Sequence, residues 1–338
     1  MAQKKLGVQT YATPTKPRIA SWATIAGKKE GEGPLGSYFD RVIKDDLMGL
    51  ESWEKAESRM LFDAVTLAIQ KGNLQPSAMD VFFGGDLLNQ IVSANYAARE
   101  LAIPFLGQYG ACSTMAQSLL LSSLLIDGGF VNRAIAATCS HFATAERQYR
   151  MPLELGTQRA PSAQWTVTGA GAAVVTCDIL SSNIAVESVT IGRVRDLGVS
   201  DATNMGAAMA PAAADTLLAH LSDTGRSFEY YDLIVTGDLG IIGKDLTMQL
   251  CQKQNVGLDG RYIDCGCEVF SQEQDVHAGG SGCGCSAITL CGWLLSRMQR
   301  GEIRRMLFIA TGALMSPTTS LQGESIPGIA HAVSLEVI

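Results

Sequence analysis

One block of this chain occurs twice, and the repeat restricts the fold more than any other feature. Residues 80–88 (DVFFGGDLL) form an aspartate, an apolar run and a Gly-Asp-Leu turn, and residues 232–242 (DLIVTGDLGII) repeat that order 152 positions later. Residues 282–311 (GCGCSAITLCGWLLSRMQRGEIRRMLFIAT) likewise repeat the apolar helix, glycine stop and strand of residues 110–138, at an offset of 172 or 173. A helical segment precedes each block: residues 54–71, with Met60, Ala64, Leu67 and Ala68 on one face, and the alanine-rich residues 207–221. The order helix, strand, long loop, buried helix, strand therefore runs twice. The difference in offset is extra chain between Gly243 and His277, which carries Cys265 and Cys267. Short apolar strands alternating with helices predict an α/β protein with a mostly parallel sheet covered on both faces. Its halves, residues 1–178 and 179–338, are expected to pack as a pseudo-dimer. The buried helices beginning near Cys112 and near Cys283-Gly284-Cys285 would then meet end to end at the join, where pockets tend to form.

Composition excludes several functions. With 338 residues, 47% hydrophobic and 17% charged, the chain can bury a large core, and a net charge of −7 argues against nucleic-acid partners. The basic N-terminus is not followed by an apolar stretch, so no secretory signal is expected. The longest apolar run, residues 119–126, is broken by serines and is far short of the ~20 residues a membrane span needs. The expectation is a soluble or peripheral protein. Nine cysteines without a signal peptide fit free thiols in a reducing compartment. Cys265-Gly-Cys267 and Cys283-Gly-Cys285 lack the usual spacing of zinc ligands, so they are read as core or pocket lining and no metal site is expected. Gly169-Ala170-Gly171-Ala172 lacks the lysine and the spacing of a phosphate loop and is read as a close helix–strand packing turn. The glycine-rich residues 27–36 read as loop or lid.

The most specific chemistry sits at Cys112. Residues 115–126 are apolar on nearly every side and predict a buried helix, stopped by Gly128-Gly129. Ser113 or Thr114 is expected as its N-cap, which places Cys112 at the positive end of the helix dipole, where thiolate is favoured and an anion can be held. A packed structural cysteine is the alternative. Arg147, Arg150 and Arg159 follow Ser140-His141 in a segment read as loop, either as a solvated surface or as a clamp for an anion. His141 and His220 are ordinary structural histidines by default.

Residues 84–129 resemble the thiolase and ketoacyl-synthase superfamily, in which a nucleophilic cysteine heads a buried helix after a short small-residue turn. Cys112 falls on that nucleophile. Residues 276–282 (VHAGGSG) resemble the thiolase His-Pro-x-Gly-x-Ser-Gly loop, which puts His277 on the general base and Gly280 beside it. The resemblance covers most of the chain and implies a layered αβαβα, thiolase-like fold and a homodimer.

A narrower resemblance, through residues 27–36, 86–114, 140–150 and 163–173, is to the stage V sporulation protein AD family of endospore-forming bacteria, thiolase-like proteins without established acyl chemistry. It implies binding of dipicolinate, with calcium accompanying the ligand, and participation in its uptake into the developing spore. The implied partners are the other subunits of the spore dipicolinate channel, with peripheral attachment at the inner membrane. Cys112, Ser113, Ser140, His141, Arg147, Arg150, His277 and Gly280 are the candidate ligand contacts. Departures from the catalytic pattern support a binding role. Residues 326–338 (IPGIAHAVSLEVI) lack the second thiolase cysteine and offer only His331 as a titratable group before Glu336, and residues 237–244 (GDLGIIGK) lack the His-x-Ala-Asn of initiating ketoacyl synthases. Two hypotheses follow: a non-catalytic binder, or an acyltransferase that uses Cys112 and His277 on a thioester.

Overall fold

The computed structural model describes residues 3–149, 159–258 and 260–338. Among these, ten strands of one continuous sheet carry the architecture: β1 Arg18–Ala26, β2 Val81–Gly85, β3 Phe105–Gly107, β4 Arg133–Ser140, β5 Gly169–Thr176, β6 Ile184–Thr190, β7 Leu233–Thr236, β8 Tyr262–Asp264, β9 Arg305–Ala313 and β10 Gly328–Val337. Their lateral order is β8-β7-β9-β10-β6-β1-β5-β4-β2-β3. Strands β1 to β5 and strands β6 to β10 thus lie in the same internal order: third, second, fourth, fifth, first. The two sets join where Arg18 pairs with Ala185.

The strand directions correct the expectation of a mostly parallel sheet. β2 is parallel to β3 and β4, and β7 to β8 and β9, but β5 and β10 run antiparallel to both of their neighbours. Apolar runs locate buried strands without encoding their direction. Direction is fixed by how the chain returns to the sheet, which the apolar pattern of a strand does not record.

The helices fill three layers. α1 Trp53–Lys71 and α2 Val92–Leu101 cover the outer face of the first strand set, and α5 Met205–Thr224 and α6 Gly240–Gln252 cover that of the second. α3 Thr114–Asp127 and α7 Cys283–Ile288, which continues through a π turn at Thr289–Leu294, lie between the two sets. α3 has no polar face, so only a site walled by both sets can bury it. Local signals mark the ends. Ser52 Oγ accepts the amide of Lys55 at the start of α1, the Asn204 side chain accepts that of Ala207 at the start of α5, and Gly225 closes α5 at φ 65. The leading aspartate of each repeated block holds the next strand: Asp80 Oδ2 accepts the amides of Asn132 and Arg133, and Asp232 Oδ2 those of Arg304 and Arg305.

Between the layers, backbone meets backbone. A Cβ on Gly171 of β5 would stand 2.5 Å from the carbonyl oxygen of Ala287 in α7, and one on Gly312 of β9 would stand 2.4 Å from that of Gly110, just ahead of α3. The Gly169–Ala172 stretch is therefore strand, not turn, although its small residues do serve close packing. Residues 27–36 are pinned: Glu30 is buried and accepts the Thr168 amide at 2.9 Å, and burial pushes its carboxyl up to about 8. Gly171→Ala is expected to cost roughly 1–3 kcal/mol in chemical denaturation, because neither backbone can retreat. Wild-type stability in that variant would mean that the layers are not held at this spacing.

Candidate functional site

Cys112 lies in a single 3₁₀ turn, Ala111–Ser113, immediately before α3, and Ala111 takes the left-handed φ of 50 that aims the turn inward. The expected caps are not made. Ser113 Oγ donates back to the Gly110 carbonyl at 2.7 Å and Thr114 Oγ1 to that of Ala111 at 2.6 Å, so neither hydroxyl accepts a helix amide.

Asp238, the aspartate of the second Gly-Asp-Leu, is the carboxylate whose charge acts on Cys112. Asp238 is fully buried, and its carboxylate accepts Thr311 Oγ1 at 2.7 Å on one oxygen and Ser281 Oγ at 3.1 Å and the Gly282 amide at 3.0 Å on the other. Burial pushes the Cys112 thiol well above its ordinary range, and the charge of Asp238 and the neighbouring Cys283 add to it. The expected thiolate is thus overturned: desolvation and a facing carboxylate outweigh a helix end whose effect fades within one turn. Cys283, at the start of α7, packs into the same small cluster and donates to the Ala111 carbonyl at 3.1 Å.

His277 does not serve as a base to Cys112. It sits at φ 54 with Nδ1 on the Ala160 carbonyl at 2.8 Å and Nε2 3.3 Å from Asp275. A cavity of about 40 Å³ opens beside Cys112. Its wall is Leu87, Ala111, Ala145, Tyr149, Met205, Ala313 and Met315, with Glu146, Thr166 and Ser281 as the other polar members.

Comparison with known proteins gives the family and the fold. The family model for stage V sporulation protein AD matches residues 7–336. The chain is 45% identical over 333 residues to stage V sporulation protein AD of Bacillus subtilis (strain 168), with 98% of each chain covered. It belongs to that family. Among solved structures, it is similar to an acetyl-CoA acetyltransferase from Syntrophomonas wolfei, at TM-score 0.61 and 11% identity, covering 95% of this chain and 98% of that one. A 3-oxoacyl-(acyl carrier protein) synthase III from Pseudomonas aeruginosa PAO1 aligns at TM-score 0.56 and 14% identity, over 95% and 98% of the respective chains. Family and fold together make this a sporulation protein of the AD family with a thiolase-like fold.

The other predicted contacts fall into separate places in this family member. Ser113 is buried with its hydroxyl spent on Gly110. Ser140 Oγ donates to the Val167 carbonyl at 2.6 Å and accepts the Gly284 amide at 2.9 Å, tying β4 to α7. His141 is buried and neutral: Nδ1 accepts the Ala143 amide and Nε2 donates to the Asp46 carbonyl, while burial lowers its pKa. Arg147 is helical, on α4 Phe142–Tyr149, and is committed to Glu54 with its guanidinium 5.6 Å from the Trp53 ring, so it does not clamp the cavity. Arg159 lies over the Trp165 ring, and Arg150 lies outside the described residues. Gly280 pairs with Trp165, and its carbonyl accepts the side-chain amide of Gln164. His220 is buried and His331 half-buried, and desolvation pushes their pKa values down to about 3 and about 4.

Sequence reasoning missed Asp238 and Glu146. The first had a signal, because an aspartate at the end of an apolar strand, present in both repeats, is costly to bury without a purpose. Among the nine thiols Cys177 is the exposed one. It should react first with iodoacetamide at neutral pH, with Cys112 far slower. Asp238→Asn, which keeps the accepting oxygen but removes the charge, should raise the Cys112 rate roughly tenfold. Mass-resolved labelling that finds Cys112 fastest in the wild type would refute the assignment.

Proposed function

We propose that this protein is a non-catalytic binder of dipicolinate, taken as its calcium complex at the Cys112 cavity, and that it takes part in dipicolinate uptake into the developing spore with membrane-bound channel subunits. The observation that carries this reading is the burial of the Cys112 thiol near the buried carboxylate of Asp238. A nucleophile must ionise, and here ionisation would set two negative charges side by side without water. His277, the one candidate base, is held elsewhere.

The cavity's lining suits the calcium form of the ligand. Glu146 is the carboxyl group of its wall, and no Lys, Arg or His stands among the described lining residues. Calcium brings its own countercharge to a dicarboxylate and takes carboxyl oxygens as ligands. The cavity is smaller than the 300 Å³ or so typical of ligand sites. Met205 and Met315, unbranched and adaptable, are the side chains whose movement would admit a pyridine ring.

Titration calorimetry with dipicolinate alone, calcium alone and both together tests the reading. Binding is expected when both are present, and Glu146→Gln should weaken it about tenfold while leaving the melting temperature unchanged. Binding of equal strength without calcium, or none under any condition, would count against it. A covalent acyl group on Cys112 after exposure to acetyl-coenzyme A would instead establish the acyltransferase reading.

A homodimer is part of the same proposal. β3 is an open edge with Leu106 and the nearby Tyr109 more than half exposed. Unpaired edges of this kind add a strand from another copy. Sedimentation should give a dimer, and Leu106→Asp a monomer; a wild-type monomer at micromolar concentration would remove the dimer from the proposal.

A further inference from the structure

We propose that α4 is a hinged lid over the Cys112 cavity, shut by the side chains of its last two residues, an inference that rests on the reading of that cavity as a ligand site. The helix gives the cavity Ala145, Glu146 and Tyr149, a spacing that puts all three on one face. At about 40 Å³ the cavity is closed to a ligand the size of a pyridine ring, so part of its wall must move before one enters. The two ends of α4 are held in different ways, and the difference selects the part that moves.

The start of the helix is fixed inside the protein. The Phe142 amide donates to Thr168 Oγ1 at 3.0 Å, and Thr144 Oγ1 donates at 2.8 Å to Glu57, a fully buried residue of α1. The Phe142 ring lies 3.9 Å from that of Trp165, with 12° between their planes. Breaking the Thr144 bond would leave buried polar groups short of a partner, so this end serves as the hinge.

The last turn closes on residues 87–89 through polar side chains. Tyr149 Oη donates to the Leu87 carbonyl, Gln148 Nε2 donates to the same oxygen at 3.2 Å, and Gln148 Oε1 accepts the Asn89 amide at 2.9 Å. Residues 87–89 are a rigid catch: the Leu88 and Ala94 amides each donate at 2.7 Å to buried Asp86, one to each oxygen, so the loop stays when the helix leaves. Gln148 and Tyr149 are half-buried and Asn89 is exposed, so water can take over the bonds of the catch as it opens. On the outer face Arg147 pairs with Glu54 through part-exposed side chains, an ion pair that costs little to break. A swing about the Thr144 end carries Glu146 and Tyr149 off the cavity without unfolding the helix.

The reaction of Cys112 with iodoacetamide reads the opening without any ligand. Tyr149→Phe keeps the ring and removes one bond of the catch, while Gln148→Met keeps the side-chain length and removes the other two. Each variant of the full chain is expected to label at Cys112 about tenfold faster than the wild type, with the melting temperature and the labelling of Cys251, buried on α6, unchanged. A Cys112 rate unchanged in either variant overturns the lid, and so does a rise shared equally by Cys251, which would report general loosening. Stopped-flow binding of calcium dipicolinate gives a second reading. Association and dissociation should both quicken in the variants while the affinity stays within about twofold, because the catch is closed with and without ligand. Faster dissociation alone would make Tyr149 and Gln148 ligand contacts and overturn the catch. Absence of binding by the wild type would overturn the dipicolinate reading, and the labelling rates would still decide the lid.

Discussion

The two central helices start on the strands of the opposite set with no side chain between them. Gly110 rests on Gly312 of β9, while Gly171 of β5 and the pair Gly169 and Ser140 take the first turn of α7. That spacing excludes water, so the polar groups brought there must satisfy one another. They do so across the join: Thr138 Oγ1 donates to the Cys283 carbonyl, Ser140 Oγ accepts the Gly284 amide, and Asp238 gathers Thr311, Ser281 and Gly282. Each bond is short-range and dry, which makes the seam intolerant of change.

The same dryness sets the chemistry. A cysteine at a helix start is ordinarily a candidate thiolate, but here every buried neighbour that carries charge is acidic, and desolvation moves thiol and carboxyl alike toward their neutral forms. The repeat has also diverged at this point. Asp86 turns to the amides of Leu88 and Ala94 and, buried near Glu57, is pushed up to about 7. Asp238 faces the thiol, and the amides at the start of α6 are taken by Asp264, also pushed up to about 7. Two equivalent aspartates became one helix anchor and one site residue, and that asymmetry is what gives the molecule one cavity beside Cys112.

Much of this was legible from residue order alone. The repeated Asp, apolar run and Gly-Asp-Leu located β2 and β7, the polar-free stretch located α3, and the similarity of loops as well as core placed the chain in its family. Pattern works for these because hydrophobic periodicity and glycine placement act within a few residues. The histidine and arginine assignments did not survive in the same form. His277 is claimed by a carbonyl 117 positions away and Arg147 by Glu54, partners that no local pattern announces.

The sequence by itself therefore determined the duplication, the elements and their burial, because those follow from which residues can leave water. Only the tertiary structure decided strand direction, the neighbours of Cys112, and which charged groups face the cavity. Those depend on contacts between segments far apart in the chain, where burial and the charge of a distant carboxylate outweigh any preference carried by the local chain.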